Sequence, residues 1–404
     1  MASNSRRTLS RRDLLRTGSM AGLTGLLAGA VAPSASAGTQ APPATSPPAP
    51  AGVSVSADGS YATVPLRQSA ITVSAIQSRV RAVDGRNPAP RLKENLAHVL
   101  ELIDDAQGFA EAWGPERQWG SAQDLLCFHE FPIQGWNPWT RKDILRVAID
   151  LPGAESEAIG LKAKKYNCYI AFGCYARDKD WPDHVMSIST IIGPSGQIVS
   201  KQLKARNMLG VFGDFSLFGT TVYDVLDRYV ELYGWDAVIP VARTDIGNIC
   251  MTPVGNEPDL YRCMALKGAE IIIRTVTGST NGAEAAETAK VNNVYCVGVG
   301  NSVSPDNIGY TESAGAADGG TVICDPRGRL LAQSENHHEA IVTTRIPIGE
   351  FRKGRAVPEV PMALFLPVFQ KYAPRYAPNA YKDYLPTDLK DAARYLRTRI
   401  NPVR

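Results

Sequence analysis

Short apolar runs recur along this chain, separated by segments whose apolar positions return every three or four residues. Ile71-Thr72-Val73-Ser74-Ala75-Ile76 alternates in character and predicts a strand. From Asn95 to Ala112 the positions Leu96, Val99, Leu100, Ile103 and Ala106 keep helical spacing. Residues 124–128, 167–175, 188–192, 246–250, 270–276 and 295–299 read as further strands. Residues 155–165, 258–267 and 282–294 read as helices. Gly193-Pro194-Ser195-Gly196 predicts a hairpin turn into the segment ending at Lys204, and Asp325-Pro326-Arg327-Gly328 predicts another. Apolar strands interleaved with amphipathic helices must bury one against the other, so the expected class is α/β or α+β.

The flanks differ from this pattern. Ser10-Arg11-Arg12-Asp13-Leu14-Leu15 precedes an uncharged, glycine-containing run that closes on Ala35-Ser36-Ala37. Paired arginines, a moderately apolar stretch and a small-residue exit are similar to a twin-arginine signal peptide, so residues 1–37 predict export by that machinery to an extracellular or periplasmic location. Residues 38–67 open with five prolines between Pro42 and Pro50 and predict an unpacked linker. Residues 351–404 set tyrosines among prolines and predict an arm lying across the body or across a second subunit. The chain carries a net +3, but five arginines against one acid give residues 1–37 a charge of +4, leaving the body near −1. Such a body has no clustered basic surplus, which argues against a nucleic-acid partner.

Several chemistries lack their sequence signatures. No His/Cys set has zinc spacing, and no GxSxG elbow or phosphate-cradling loop is present, so neither metal nor cofactor is expected. One constellation remains. Glu130 follows the predicted buried strand at 125–128, Lys204 sits on the second strand of the hairpin, and Cys250 ends the apolar run at 246–249. With Phe128-His129-Glu130-Phe131-Pro132, Gly196-Gln197-Ile198-Val199-Ser200-Lys201-Gln202-Leu203-Lys204, Gly247-Asn248-Ile249-Cys250 and Lys267-Gly268-Ala269-Glu270, the chain resembles the nitrilase superfamily of carbon–nitrogen hydrolases, nearest its aliphatic amidase and formamidase branch.

That resemblance covers residues 68–350 and implies one α/β domain there, an αββα sandwich of two mixed sheets covered by helices. It also implies Glu130 as general base, Lys204 as the group facing the oxyanion and Cys250 as nucleophile, in cofactor-free hydrolysis of a small linear amide through a thioester. Glu257 falls where the family carries a glutamate. Asp214 is the nearest acid after Lys204 for a substrate-positioning role, and Met251 stands directly after the cysteine. Met251 in place of Trp argues against a nitrilase. Nitrile or N-carbamoyl amide hydrolysis, or a non-hydrolytic acyl-transfer or binding member of the fold, stand as alternatives. The family's habit of assembling predicts a homo-oligomer.

Overall fold

The computed structural model describes residues 55–113, 122–207, 219–278, 280–307, 310 and 320–399; the signal expected in 1–37, the first part of the linker and Asp214 lie outside them. Two sheets form the centre. The first contains β1 (Ile71–Gln77), β2 (Leu125–Phe128), β3 (Ile149–Asp150), β4 (Tyr169–Arg177), β5 (Met186–Ile192), β6 (Ile198–Leu203) and β13 (Ala340–Ile346), in the order β13-β1-β2-β4-β5-β6, with β3 beside β4. The second contains β7 (Ala242–Thr244), β8 (Gly247–Thr252), β9 (Ile271–Thr275), β10 (Tyr295–Val299), β11 (Val322–Cys324) and β12 (Leu330–Gln333), in the order β12-β11-β10-β9-β8-β7. In each sheet the middle strands run parallel (β1-β2-β4 and β8-β9-β10), while antiparallel strands extend the edges.

The period-2 alternation of these strands builds the layers. Leu125 and Cys127 of β2, with Ala171 of β4, meet Ile249 and Met251 of β8 and Ile271 and Ile273 of β9 between the sheets. The intervening residues face outwards. Leu126 and Phe128 pack under α1 (Ala89–Trp113) and α3 (Ala154–Tyr166) through Val99, Ile103, Ile159 and Ala163. Cys250 and Ile272 pack under α5 (Pro258–Leu266), and Cys296 under α6 (Gly282–Asn292). The result is the expected four-layer α/β sandwich.

The linker departs from the expectation of an unpacked segment. In the linker, Val55 bridges Tyr61, the Tyr61 hydroxyl donates to Glu270 at 2.9 Å, and Arg67 pairs with Asp124 at 2.6 Å. Tyr61 also fills the space over Gly268, where a Cβ would stand 2.8 Å from its ring. The later arm wraps its own chain: Tyr376 and Tyr381 are buried, the Tyr381 N–H donates to the Asp224 carbonyl at 3.0 Å, and Arg141 donates to the Pro386 carbonyl at 2.6 Å. Between body and strap, α8 (Met362–Lys371) leaves Leu364, Leu366, Val368 and Phe369 exposed.

Candidate active site

Parallel strands direct their carboxyl ends to one edge of a sheet, and there the chain leaves regular structure. Beyond β2 the backbone turns through His129 into Glu130. It can pass close to β4 only because Gly173 carries no side chain; a Cβ there would lie 2.3 Å from the Glu130 carbonyl oxygen. Gly173 returns the contact by donating its N–H to His129 at 3.1 Å. Lys204 follows the last residue of β6 rather than lying on it. Its backbone is fixed at both polar groups, the N–H donating to Ser187 at 2.9 Å and the carbonyl accepting from Val222 at 2.9 Å.

These two side chains meet. Lys204 Nζ lies 3.1 Å from Glu130 Oε1, with Glu130 5% and Lys204 7% exposed. Ser187 donates to the same carboxylate oxygen at 3.4 Å, and Thr277, just past β9, donates to the other at 2.7 Å. The pair opens on a cavity of about 270 Å³ bounded by Trp136, Tyr175 and Phe131 on one side and by residues 253–256 on another. Phe131 stacks on Tyr175 with ring centroids 4.1 Å apart. Burial raises the Tyr175 phenol well above its usual range, so it meets the cavity as a neutral group. Opposite, Arg274 and Glu284 form a second ion pair at 2.9 Å. Glu284 also accepts the Asn256 N–H at 2.6 Å, and Asn281 caps the helix that carries it.

Cys250 does not join this cluster. It stands two residues before the end of β8, and its parity turns it outward beneath α5, among Tyr261, Met264 and Ala265. Its thiol donates to the Pro240 carbonyl at 3.2 Å, and burial pushes it up to about 12. The strand reaches the cavity only through Pro253 and the residues after it, and none of the seven cysteines lines the cavity. Met251 points the other way, into the layer between the sheets, with its N–H donating to Gln202 Oε1 at 3.1 Å. Glu257 is the N-cap of α5 and pairs with Arg206; it too is absent from the cavity wall. The structure therefore brings Glu130 and Lys204 together and separates Cys250, Met251 and Glu257 from them.

The sequence reading passed over Thr277, Ser187, Arg274 and Glu284. Thr277 and Arg274 carry the one usable signal: both sit at or just beyond the end of an apolar parallel strand, where ligand groups collect. Among the described residues no group of three or more His, Cys, Asp and Glu side chains is placed to hold a metal ion. A buried carboxylate held by an ammonium and two hydroxyls can accept a proton, while the ammonium can face a developing negative charge.

Fold and site together define an αββα sandwich with a carboxylate–ammonium pair at its strand ends. The carbon-nitrogen hydrolase family matches residues 73–356, and the chain belongs to that family. A formamidase of Bacillus thuringiensis (strain Al Hakam) is 25% identical over 236 residues, 55% of this chain; the match spans 61% of the formamidase's own length, about three fifths of that relative. Among solved structures, Saccharomyces cerevisiae Nit3, a nitrilase superfamily member, superposes with a TM-score of 0.52 over 78% of this chain and all of its own, at 16% identity. An amidase from Nesterenkonia sp. superposes at 0.50 over 72% of this chain and 96% of its own, also at 16% identity.

Proposed function

We propose that this protein hydrolyses the carbon–nitrogen bond of a small amide in the cavity at the strand ends, with Glu130 taking and returning the proton and Lys204 facing the carbonyl oxygen as charge builds on it. The observation that carries this reading is the buried Glu130–Lys204 contact at the cavity wall. Family membership and the formamidase relatives support the choice of bond. A volume near 270 Å³ leaves room for an amide larger than formamide, beside the aromatic wall of Trp136 and Tyr175.

Ammonia release from a panel of amides, nitriles and N-carbamoyl compounds tests it. Amides are expected to turn over, and Glu130→Gln or Lys204→Met is expected to lower kcat by about 100-fold or more. Turnover of nitriles alone would overturn the amide reading. A second reading, a non-hydrolytic binding or acyl-transfer member of the fold, is favoured by the distance of every cysteine from the cavity wall. It predicts amide-induced thermal stabilisation without ammonia.

Export and self-association belong to the same proposal. The first rests on residues 10–37 of the sequence, and cell fractionation of the full chain against an Arg11→Lys/Arg12→Lys variant checks it. The second rests on the exposed apolar side chains of α8, and sedimentation of Leu364→Asp against the native chain checks it.

A further inference from the structure

We propose that the hydroxyl of Thr277, and not a thiol, is the attacking group of this site. The inference rests on the amide-hydrolysis reading above. Nucleophilic catalysis needs an attacking atom within hydrogen-bond reach of its base, and the base held by a third group. Among the described residues, two hydroxyls reach Glu130. Ser187 approaches at 3.4 Å, on the oxygen already taken by Lys204, whereas Thr277 Oγ1 has Oε2 at 2.7 Å. Lys204 is thus the orienting group, the Glu130 carboxylate the base, and Thr277 the hydroxyl on its free edge. Thr252, which ends β8, is fully buried; its oxygen accepts the Val254 N–H at 3.1 Å and makes no hydrogen bond to Glu130.

The backbone on both sides of Thr277 is fixed. Val276 donates its N–H to the Val299 carbonyl at 2.9 Å, and Gly278 donates to the side chain of buried Asn301 at 2.5 Å. Gly278 has φ +100°, a turn that directs the chain away immediately after the threonine. A hydroxyl held at its base and pinned on both flanks is the pre-positioning that an attack on a poor electrophile requires.

The steps balance. As Thr277 Oγ1 bonds to the amide carbon, its proton passes to Glu130 Oε2 and the carbonyl electron pair moves to oxygen, facing the Lys204 ammonium. Collapse of the tetrahedral adduct breaks the C–N bond, and Glu130 returns the proton to the leaving nitrogen. Water then attacks the ester. Its proton passes to Glu130 and on to Thr277 as the acid leaves.

Hydroxylamine partitioning with the full-length protein tests this. Two amides sharing an acyl group but differing in their amine are hydrolysed with hydroxylamine present. A common ester gives the same hydroxamate-to-acid ratio from both. Thr277→Ala is expected to lose about 100-fold or more in kcat together with hydroxamate formation, while Thr277→Ser keeps a hydroxyl and stays within about 10-fold. Thermal unfolding of each variant separates loss of chemistry from loss of fold. Thr277→Ala turning over within about threefold of wild type, with Glu130→Gln inactive, would assign the attack to water and overturn the proposal. So would loss confined to Cys250→Ala. Absence of any amide turnover in the wild type would defeat the underlying reading, and is seen before any variant is made.

Discussion

Six of the seven cysteines are buried, Cys263 being exposed, and burial raises their thiols; Cys250, Cys168 and Cys296 are each pushed up to about 12 and Cys324 to about 11. A thiol in that state is neutral at physiological pH and packs as a small apolar group. For Cys250 this yields a prediction opposite to the role its position in the sequence suggests. Cys250→Ala removes a buried sulfur between β8 and α5, leaving a small void, and is expected to cost about 1–2 kcal/mol of stability. Ammonia release per folded molecule should stay within about twofold of wild type. Denaturant unfolding alongside the assay checks both, and loss of turnover with unchanged stability would restore the thiol to the chemistry. The sequence made Cys250 attractive because a cysteine ends an apolar run before a turn and a helix. What it hid was a two-residue offset: β8 continues through Met251 and Thr252 before it meets the cavity. A displacement of two residues is about 6.6 Å along a strand, more than a hydrogen bond can span.

At the scale of elements, the site depends on two close fits. Gly173 lets β4 lie against the turn that carries Glu130, and Gly173→Ala would drive a Cβ into the Glu130 carbonyl. Overpacking of this kind costs about 1–3 kcal/mol; since the displaced backbone is that of Glu130, kcat should fall more steeply than stability. Parallel thermal-unfolding and ammonia-release measurements distinguish this from plain destabilisation. Farther from the cavity, Glu270 is fully buried at the start of β9, clamped by Arg352 of α7 (Ile348–Gly354) through two contacts of 2.7 Å and by the Asn248 N–H at 2.7 Å. Arg352→Ala leaves that carboxylate without its counter-charge, held only by the Tyr61 hydroxyl and the Asn248 N–H, and should cost about 3 kcal/mol, read as a lowered denaturant midpoint, whereas Arg352→Lys should recover part of it. The strands of the two sheet centres were legible because their residues are apolar on both faces, as buried parallel strands are. Beyond Ile346 the pattern was not readable: α7 and α9 (Leu389–Arg397) are short, and their stability comes from docking. β13 carries no strand signature, because its polar Thr343, Thr344 and Arg345 read as loop, although it pairs with β1 along all seven residues. Of the site, Glu130 and Lys204 could be paired from their contexts. The partnership of Thr277 with Glu130 joins opposite sheets over a sequence separation of 147 residues, and no local pattern encodes it.

For the whole molecule, the C-terminal strap is a structural member whose anchor titrates. Asn379 donates its N–H to the Tyr223 carbonyl at 2.9 Å, and Tyr381 donates to the Asp224 carbonyl at 3.0 Å, so the strap is tied to one short turn of the body. The carboxyl of Asp224 is buried there, accepts the Thr221 hydroxyl at 2.6 Å, and faces the phenols of Tyr376 and Tyr381. Burial raises it from 3.8 to about 7, an effect larger than the opposing hydrogen bonds from Thr221. A raised acid is protonated in the folded chain while still ionised in the unfolded one. Between about pH 4 and pH 7 the folded state therefore holds the extra proton, and stability from this group falls as pH rises through that window. A shift of this size corresponds to a ceiling of about 4 kcal/mol between the two ends. Asp224→Asn cannot ionise and keeps an acceptor for Thr221, so its unfolding free energy should lack that slope. The native chain and the variant should lie close together near pH 4.5, with the variant the more stable at pH 8. Thermal unfolding of both across pH 4–9 reads the gap directly. A gap that stays constant would remove Asp224 as its source. A gap that widens with pH, together with earlier proteolysis of residues 373–399 in the native chain at pH 8, would identify the strap as the part that loosens first.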